Sequence, residues 1–591
     1  MAGAHTLNPR TGRRDPQRLP GWTLALAVLL AAGPAFAQQQ GPSRSGTPAL
    51  TPSPAPALPI DAYIRNAWQT LRRSMNECAS LVDPKIRTRP VLYLPLDYPE
   101  PPQVAALDQK CGVHVERLPV RIEHPGQNVR LPVPGLLYLP NAYVVPGGRF
   151  NEMYGWDSYF ILLGLLQDGR TELARGMVEN FFFEIEHYGG ILNANRTYYL
   201  TRSQPPFLSS MIRAIWEADV AAGHRSEAVG WLERAYGFAQ RDHALWTSGA
   251  HRAGNTGLAR YYDFGEGPIP EMGDDPRYYQ NVIVWLLKHP EVHTSYLVEG
   301  PRNPTAADRA KLTAISCDPG MPTSCARDHI GTHWLSREYY KGDRAMRESG
   351  FDPSFRFGPF SGSTQDYAPM CLNSLLYRYE RDLAWMATQL SKPDEAQQWN
   401  AAADRRRAAI DRYLWNPAKG MYFDYNFTAG KQSTYNYLPT YYPLWAGAAN
   451  AEQARRVEAN LKLFNKPGGL AMSTFDSGVQ WDLPYGWAPV IWIAVDGMAR
   501  CGDVNDAELV SREFTATVQK NYSRDRTIRE KFNVVTASSV FQVTAGYSQN
   551  VVGFGWTNAV YLKMQSLLQH AGAQASAGAA GAASGTGGGT R

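Results

Sequence analysis

The chain has 591 residues, of which 44% are hydrophobic and 19% are charged. That length allows several domains, although barrels built from repeated units reach it within one domain. The 59 basic and 54 acidic residues are spread along the chain and give a net charge of +5. Because the sequence contains no basic block of the kind that binds nucleic acid, we expect no nucleic-acid partner.

Residues 1–37 have the pattern of an export signal. Basic residues precede the apolar run 22–32, and Ala35-Phe36-Ala37 follows it, as at a signal cleavage site. The apolar run is too short to be read as a membrane span. We therefore predict cleavage after Ala37, a periplasmic location and no stable membrane association after cleavage. An uncleaved anchor is the alternative.

The two ends of the remaining chain have a composition that does not form a core. Residues 38–58 are rich in Pro, Ser, Gly and Gln, and residues 571–591 are mostly Ala, Gly, Ser and Thr. Segments of this kind act as linkers or tails, so we expect both to be mobile. The folded domain is expected to span residues 59–570.

Helical spacing of apolar residues is the recurrent signal in this domain. Apolar residues recur every three or four positions, which is the period of one helix face. The predicted helices are 159–166, 172–187, 226–245, 278–288, 373–390, 394–414, 451–464, 489–501, 506–521 and 557–570. Strand-like alternation is confined to 89–94 and 130–139. Because the helices come in pairs, the pattern favours an all-α toroid of antiparallel helix pairs with a small N-terminal extension.

Six cysteines follow the predicted cleavage position. In an oxidising compartment such residues pair, and the spacing allows Cys317 with Cys325 and Cys78 with Cys111. The sequence has no Cys-x-x-Cys motif and few His residues near these positions. We therefore expect no zinc or other metal site.

Two stretches combine aromatic rings, carboxylates and turn residues at high density. They are 146–159 (PGGRFNEMYGWDSY) and 480–487 (QWDLPYGW). Hexose faces stack on Trp or Tyr rings, while sugar hydroxyls take charged hydrogen bonds from Arg and carboxylate groups. The two stretches therefore favour a carbohydrate-active enzyme. For either stretch alone, the alternative is a buried aromatic segment between helices.

Four further stretches join these two in one order along the chain. They are NANRTYYLTRSQPPF (193–207), ESGFDPSFR (348–356), REKFN (529–533) and GFGWTN (553–558). Together the six stretches resemble trehalases of glycoside hydrolase family 37, over most of the folded domain. The resemblance implies an (α/α)6 barrel with its site at the mouth, and inverting hydrolysis of α,α-trehalose to two glucose molecules. We expect a monomer that takes a small-molecule disaccharide and needs no cofactor.

The resemblance assigns two catalytic carboxyl groups. Asp352 in ESGFD is matched to the general acid, and Glu530 in REKFN is matched to the general base. In an inverting glycosidase the acid protonates the departing oxygen, and the base activates a water molecule in a gap of about 6.5–9.5 Å between the two groups. Only a closed fold brings residues so distant in sequence together.

The local sequence fits these two roles. Apolar Phe351 beside Asp352 would raise the pKa of that carboxyl, as an acid requires, and basic residues among 526–531 would keep Glu530 ionised. Without the resemblance, Asp352 before Pro353 is read as a helix cap. Glu530 is then read as a solvated residue of a charged run.

The resemblance also implies the residues that hold the sugar. They are Arg149, Trp156, Asp157, Asn193, Arg202, Glu271 and Trp481. The charged groups would hold hydroxyls, and the Trp rings would carry the sugar face. Taken singly, each Arg is more commonly a structural partner of a carboxylate or a carbonyl.

Three positions depart from the family pattern. The family carries an Arg in a Pro-Arg-Pro-Glu-Ser stretch that holds the leaving glucose, and here Ile269 stands at the Arg position while Glu271 is kept. Segment 536–552 lacks the acidic residue of the family's Gly-Glu-Tyr, and Cys371 replaces an Asp. Losing one charge-assisted contact to a hydroxyl weakens binding roughly ten- to a hundredfold.

These departures leave alternatives open. Arg260 or Arg277 could supply a substitute cation, or the leaving-group pocket could accept another α-glucoside. A non-catalytic exported sugar-binding protein is a further alternative. The presence of both Asp352 and Glu530 favours an enzyme over it.

Overall fold

The computed structural model describes residues 58–82, 89–127, 129, 131–271, 277–292, 294–303, 305–313, 329–543 and 550–584. The predicted export signal, almost all of the predicted linker and the proposed Cys317–Cys325 pair lie outside the described residues. Within the described ranges, none of the helices combines the length and the apolar character needed to cross a membrane.

The described part of the chain is mostly helical. Its α-helices are α1 (Ile60–Thr70), α2 (Cys78–Leu81), α3 (Pro102–Ala105), α4 (Leu107–Cys111), α5 (Gly155–Gln167), α6 (Thr171–His187), α7 (Leu208–Ala221), α8 (Arg225–Thr247), α9 (Tyr278–Lys288), α10 (Ala306–Thr313), α11 (Arg337–Ser349), α12 (Met370–Gln389), α13 (Pro393–Tyr413), α14 (Tyr442–Ala446), α15 (Ala451–Glu458), α16 (Leu461–Phe464), α17 (Ala488–Cys501), α18 (Val504–Asp525) and α19 (Gly555–Ser584).

The strands are short and form small separate sheets. They are β1 (Arg72–Arg73), β2 (Val91–Leu94), β3 (His114–Arg117), β4 (Leu136–Leu137), β5 (Tyr143–Val144), β6 (Leu297–Glu299), β7 (His329–Ile330), β8 (His333–Leu335), β9 (Tyr367–Ala368), β10 (Trp415–Asn416), β11 (Met421–Tyr422), β12 (Tyr425–Asn426), β13 (Lys431–Gln432), β14 (Asn465–Lys466), β15 (Gly469–Leu470), β16 (Tyr485–Trp487) and β17 (Lys531–Asn533). The two predicted strands correspond to β2 and β4, which pair in parallel in a sheet of order β3-β2-β4. Only the Leu136–Leu137 part of the second prediction is a strand.

Two concentric rings of helices make the all-α (α/α)6 barrel. Among the described helices, α5, α7, α12, α14, α17 and α19 each contact the next, and α19 contacts α5, so the inner ring closes. The outer helices α6, α8, α13, α15, α18 and α1 each pack on an inner helix. The inner α5 is buried over nearly its whole length because almost every residue is apolar or aromatic, as expected of a helix enclosed on all sides.

Three barrel helices are absent from the sequence prediction: the inner α7 and α14 and the outer α1. The inner α7 buries Leu208, Met211 and Ile215 along one face, a three- and four-residue spacing that could have revealed it. The outer α1 buries Ile64 and Trp68 and packs on α19. The predicted N-terminal extension therefore supplies the sixth outer helix of the barrel.

Three local expectations have definite outcomes. The predicted helix 451–464 is divided into α15 and α16. The segment predicted as mobile from residue 571 continues α19 to Ser584, because its many Ala residues favour helix. The Cys78–Cys111 disulfide is confirmed, with the two Cα atoms 5.9 Å apart.

The segment between α8 and α12 interrupts the alternation of inner and outer helices. It contains α9, α10, α11 and a sheet of order β6-β8-β7. Its apolar side chains form a second core cluster, separate from the main one, which includes Ile269, Tyr279 and Tyr340. The insertion ends by leading the chain from α11 into the loop that carries Asp352.

Candidate active site

Asp352 lies in the loop that follows α11. The helix ends at Gly350, whose φ of +76° favours glycine, and a Cβ there would lie 2.9 Å from the Trp156 ring. Arg347 Nη1 donates to Asp352 Oδ2 at 3.1 Å, and 30% of the carboxyl side chain stays exposed. Burial raises the pKa of Asp352 to about 6, although Arg347 opposes the shift. The helix-cap alternative is wrong, because Asp352 follows a helix and no helix begins at Pro353.

The QWD stretch holds the loop that carries Asp352. Each of its three residues makes one hydrogen bond to the backbone of that loop. The bonds run from Gln480 Nε2 to the Asp352 carbonyl at 2.6 Å, from the Trp481 amide to the Pro353 carbonyl at 3.2 Å, and from the Phe355 amide to Asp482 Oδ2 at 2.8 Å. Burial raises the pKa of Asp482 to about 6 as well. The loop that carries Asp352 is therefore held by a segment far from it in sequence.

Glu530 lies immediately before β17, which pairs with β16 of the same QWDLPYGW stretch. The residue is 1% exposed, so the solvated-residue alternative is wrong. Lys531 Nζ lies 3.2 Å from Glu530 Oε2, and Trp556 Nε1 donates to the Glu530 carbonyl at 3.2 Å. Of the predicted basic neighbours, Arg529 pairs with Asp525 at 3.2 Å.

A short polar bridge connects the loop that carries Asp352 with Glu530. Gln480 Oε1 accepts a hydrogen bond from Lys531 Nζ at 2.8 Å, and the same ammonium group pairs with Glu530. The Gln480 amide nitrogen bonds the Asp352 carbonyl. One side-chain amide therefore links the backbone at Asp352 to the ammonium group beside Glu530.

Asp157 lies near both Asp352 and Glu530. It lies in the first turn of α5 and is almost fully buried. Burial raises its pKa well above the ordinary value, and the charges of Glu530 and Asp352 raise it further. Both groups must therefore lie close enough to Asp157 to act on its charge.

Aromatic rings from four of the stretches meet beside the carboxyl groups. The Trp156 ring lies 5.5 Å from Phe351 and 5.9 Å from Trp481, and Phe351 lies 5.2 Å from Trp481. Trp487 stacks on Trp481 at 3.9 Å, and Trp556 lies 5.8 Å from Trp156. Trp156 and Trp481 are each 2% exposed, so they form an inner wall. Stacking of a sugar on these rings stays a prediction.

Arg202 and Glu271 lie on the acid side of the site. Arg202 Nη2 donates to Glu271 Oε1, and Arg202 Nη1 lies 3.7 Å from Asp263. After burial and Arg347, these two groups are the next influences on the pKa of Asp352: Arg202 lowers it and Glu271 raises it. Arg202 Nε and Glu271 Oε2 are buried and make no hydrogen bond within the described ranges.

Arg149 and Asn193 complete the predicted set. Arg149 is near enough to Lys531 to lower the pKa of that ammonium group, whose main shift is a lowering by burial. The Asn193 amide donates to the Arg202 carbonyl at 2.8 Å, and its carbonyl accepts from the Gly155 amide at 3.2 Å. Asn193 therefore joins the start of α5 to the Arg202 loop.

The departures from the family pattern occupy apolar or closed surroundings. Ile269 is fully buried in the second core cluster, and its amide donates to Tyr279 Oη at 2.8 Å. The Cys371 thiol accepts from Arg356, which forms two hydrogen bonds to Asp424 at 2.7 and 2.6 Å. Residues 544–549 of the altered loop lie outside the described ranges.

Two residues of the site are missing from the sequence prediction. Gln480 stands inside a recognised stretch, but its role depends on contacts to Lys531 and Asp352 that only the fold creates. Arg347 stands five residues before Asp352, and a charged residue so close to a predicted acid is the signal that could have found it. In the described ranges, no group of three or more His, Cys, Asp or Glu residues is arranged to hold a metal ion.

Comparison with known proteins places this chain in a family. The trehalase family model matches residues 103–295 and 335–569. The chain is 33% identical over 560 residues to a cytosolic neutral trehalase of Neurospora crassa, covering 84% of this chain and 71% of that protein. It is 34% identical to a periplasmic trehalase of Xanthomonas axonopodis pv. citri, covering 79% and 75%.

A solved structure agrees with the fold. Neutral trehalase Nth1 from Saccharomyces cerevisiae is 31% identical to this chain and superposes with a TM-score of 0.69. The match covers 86% of this chain and 93% of that one.

Proposed function

This chain belongs to the trehalase family, glycoside hydrolases that split trehalose into glucose, and we propose that it carries out this reaction with inversion at one anomeric centre. Asp352 is the general acid and Glu530 is the general base. The observation that carries the proposal is the polar bridge through Gln480 and Lys531, which connects the backbone of the first with the carboxylate of the second.

The reaction follows from the two environments. Asp352, whose pKa burial raises to about 6, gives its proton to the glycosidic oxygen as the bond to the anomeric carbon breaks. Glu530 takes a proton from a water molecule, and the resulting hydroxide attacks the opposite face of that carbon. The attacked glucose leaves with β configuration and the other glucose keeps α. Proton exchange with solvent then restores both carboxyl groups.

The remaining predicted residues are proposed to hold the sugar whose bond breaks. Arg149, Asp157 and Arg202 are charged groups around the carboxyl pair that suit hydrogen bonds to hydroxyls. Asn193 supports the Arg202 loop, and Glu271 orients Arg202. Trp156 and Trp481 form the apolar wall against which one ring face would pack.

A stereochemical experiment tests the proposal. Purified protein is mixed with trehalose, and the glucose anomers are followed by proton NMR before mutarotation equilibrates them. Equal initial amounts of α- and β-glucose are expected. Formation of α-glucose alone, or no glucose, would overturn the proposal.

One observation favours a second substrate class. Ile269 offers only an apolar side chain where the family carries a cation for the leaving glucose. An inverting glycosidase that acts on another α-glucoside would fit this change. A panel of α-glucosides measured beside trehalose separates the two, because the preferred substrate has the highest kcat/KM.

We also propose that the protein is exported to the periplasm after cleavage at Ala37 and works as a monomer with its catalytic domain at residues 59–570. The Cys78–Cys111 disulfide supports export, because such bonds persist in oxidising compartments. One relative is named a periplasmic trehalase, whereas several others are named cytosolic. Cell fractionation with N-terminal sequencing and light scattering tests location, cleavage and assembly.

A further inference from the structure

We propose that Arg347 binds a hydroxyl of the departing glucose and so replaces the Arg that the family carries at the position of Ile269. The inference rests on the proposed function, since it concerns the leaving-group side of the same site. It makes Arg347 a specificity-determining residue of this chain.

A chain of contacts leads from Ile269 to Arg347. The Ile269 amide donates to Tyr279 Oη at 2.8 Å, and this hydroxyl donates to Asp343 Oδ2 at 2.9 Å. The other oxygen of Asp343 lies 3.6 Å from Arg347 Nε. Arg347 Nη1 then reaches Asp352 at 3.1 Å. The guanidinium group therefore lies between the altered stretch and the acid that protonates the departing oxygen.

Arg347 is held firmly and still has donors to offer. Its guanidinium lies 5.0 Å from the centre of the Tyr278 ring, and Asp343 faces it from the same helix. Only Nη1 makes a hydrogen bond among the described residues, while Nε is buried without one. A planar guanidinium has five N–H donors and always carries its charge. Such a group, fixed beside the acid, is suited to a hydroxyl of the leaving sugar.

The other two candidate cations do not fit this position. Arg260 donates to the carbonyl groups of Ala250 at 2.7 Å and Gln365 at 2.8 Å, so its donors are directed at backbone. Arg277 is exposed at the start of α9. Of the three, Arg347 alone forms a hydrogen bond to Asp352.

The test compares a substrate that has a leaving sugar with one that lacks it. In Arg347→Met, kcat/KM for trehalose is expected to fall ten- to a hundredfold, as for the loss of one charge-assisted hydrogen bond. With α-glucosyl fluoride, whose leaving group is fluoride, the same variant should keep activity within about threefold of wild type. Arg347→Lys should recover part of the loss on trehalose.

Binding separates this role from an effect on the acid. In the Asp352→Asn background, the dissociation constant for trehalose is measured by calorimetry with and without Arg347→Met, and a ten- to hundredfold weakening is expected. Arg337→Met, at an exposed position of the same helix, is the matched control. Unchanged trehalose kinetics, an equal loss on both substrates, or unchanged binding would overturn the inference. Absence of trehalose hydrolysis by the wild type would instead overturn the proposed function.

Discussion

The two carboxyl groups of the site are supported in opposite ways. On the acid side, the Gln480–Asp482 stretch holds the backbone around Asp352, while the carboxyl itself contacts Arg347 and stays 30% exposed. On the base side, the Glu530 carboxylate itself is paired with Lys531, and the residue is 1% exposed. The first arrangement fixes the backbone position of Asp352 and leaves its carboxyl group open to solvent, with which it can exchange a proton. The second places an ammonium group directly beside the carboxylate.

This difference corresponds to what the two roles demand. An acid must be protonated when the glycosidic bond breaks and must regain its proton from water, so burial that raises its pKa and some access to solvent both help. A base must be charged at the same moment, and an adjacent ammonium group stabilises that charge. The hydrogen bonds of Gln480 to Lys531 and to the Asp352 carbonyl connect the two supports.

Removing either carboxyl group gives the largest expected effect and distinguishes the two roles. Asp352→Asn and Glu530→Gln should each lower kcat/KM for trehalose about a thousandfold or more. With α-glucosyl fluoride, Asp352→Asn should lose less than about tenfold, because fluoride departs without a proton from an acid. Glu530→Gln should stay inactive, because water still needs a base. Equal activity of the two variants on the fluoride would contradict the assignment, and circular dichroism checks that both are folded.

Substituting Lys531 or Gln480, the two side chains of the polar bridge, gives the next largest effect. Lys531→Met removes the charge beside Glu530, so we expect about a hundredfold loss of kcat/KM. Gln480→Ala keeps that ion pair and removes two neutral contacts, the acceptor of Lys531 Nζ and the donor to the Asp352 carbonyl, so about tenfold is expected. Lys419→Met, at an exposed turn, is the control. If Gln480→Ala were the more harmful of the two, the charge beside Glu530 would not be what matters on the base side.

Removing a hydrogen bond between Asp482 and the loop that carries Asp352 gives a smaller effect. Asp482→Ala removes the acceptor of the Phe355 amide, and a lost buried hydrogen bond costs about 1–3 kcal/mol. We expect a lower melting temperature and a loss of kcat/KM of about threefold to tenfold on trehalose. Activity on α-glucosyl fluoride should fall less. A loss as large on the fluoride would mean that Asp482 supports the base side as well.

Much of this site follows from sequence because its residues stand in dense local stretches. The roles proposed for Asp352, Glu530 and Asp157 come from matched stretches and need no knowledge of the fold. Gln480 could not be assigned that way, because its contacts to Lys531 and Asp352 join segments that only the closed barrel brings together. Arg347, five residues before Asp352, is close enough in sequence to have been considered. The inner helix α7 has regular apolar spacing and could have been predicted. The contact of α19 with α5 that closes the ring could not, because it depends on the packing of all the inner helices.

The pH dependence of activity gives the smallest expected effect and tests the acid side of the comparison between the two carboxyl groups. Burial raises the pKa of Asp352 to about 6, while Arg347 lowers it. Because the acid works only when protonated, kcat/KM should fall as pH rises above that value, by about tenfold per unit. Arg347→Met removes the opposing charge, so the pKa of Asp352 rises and the alkaline limb moves to higher pH, whereas Arg337→Met leaves it in place. A limb that stays fixed or moves to lower pH in Arg347→Met would show that another group, on the base side or elsewhere, controls the loss of activity.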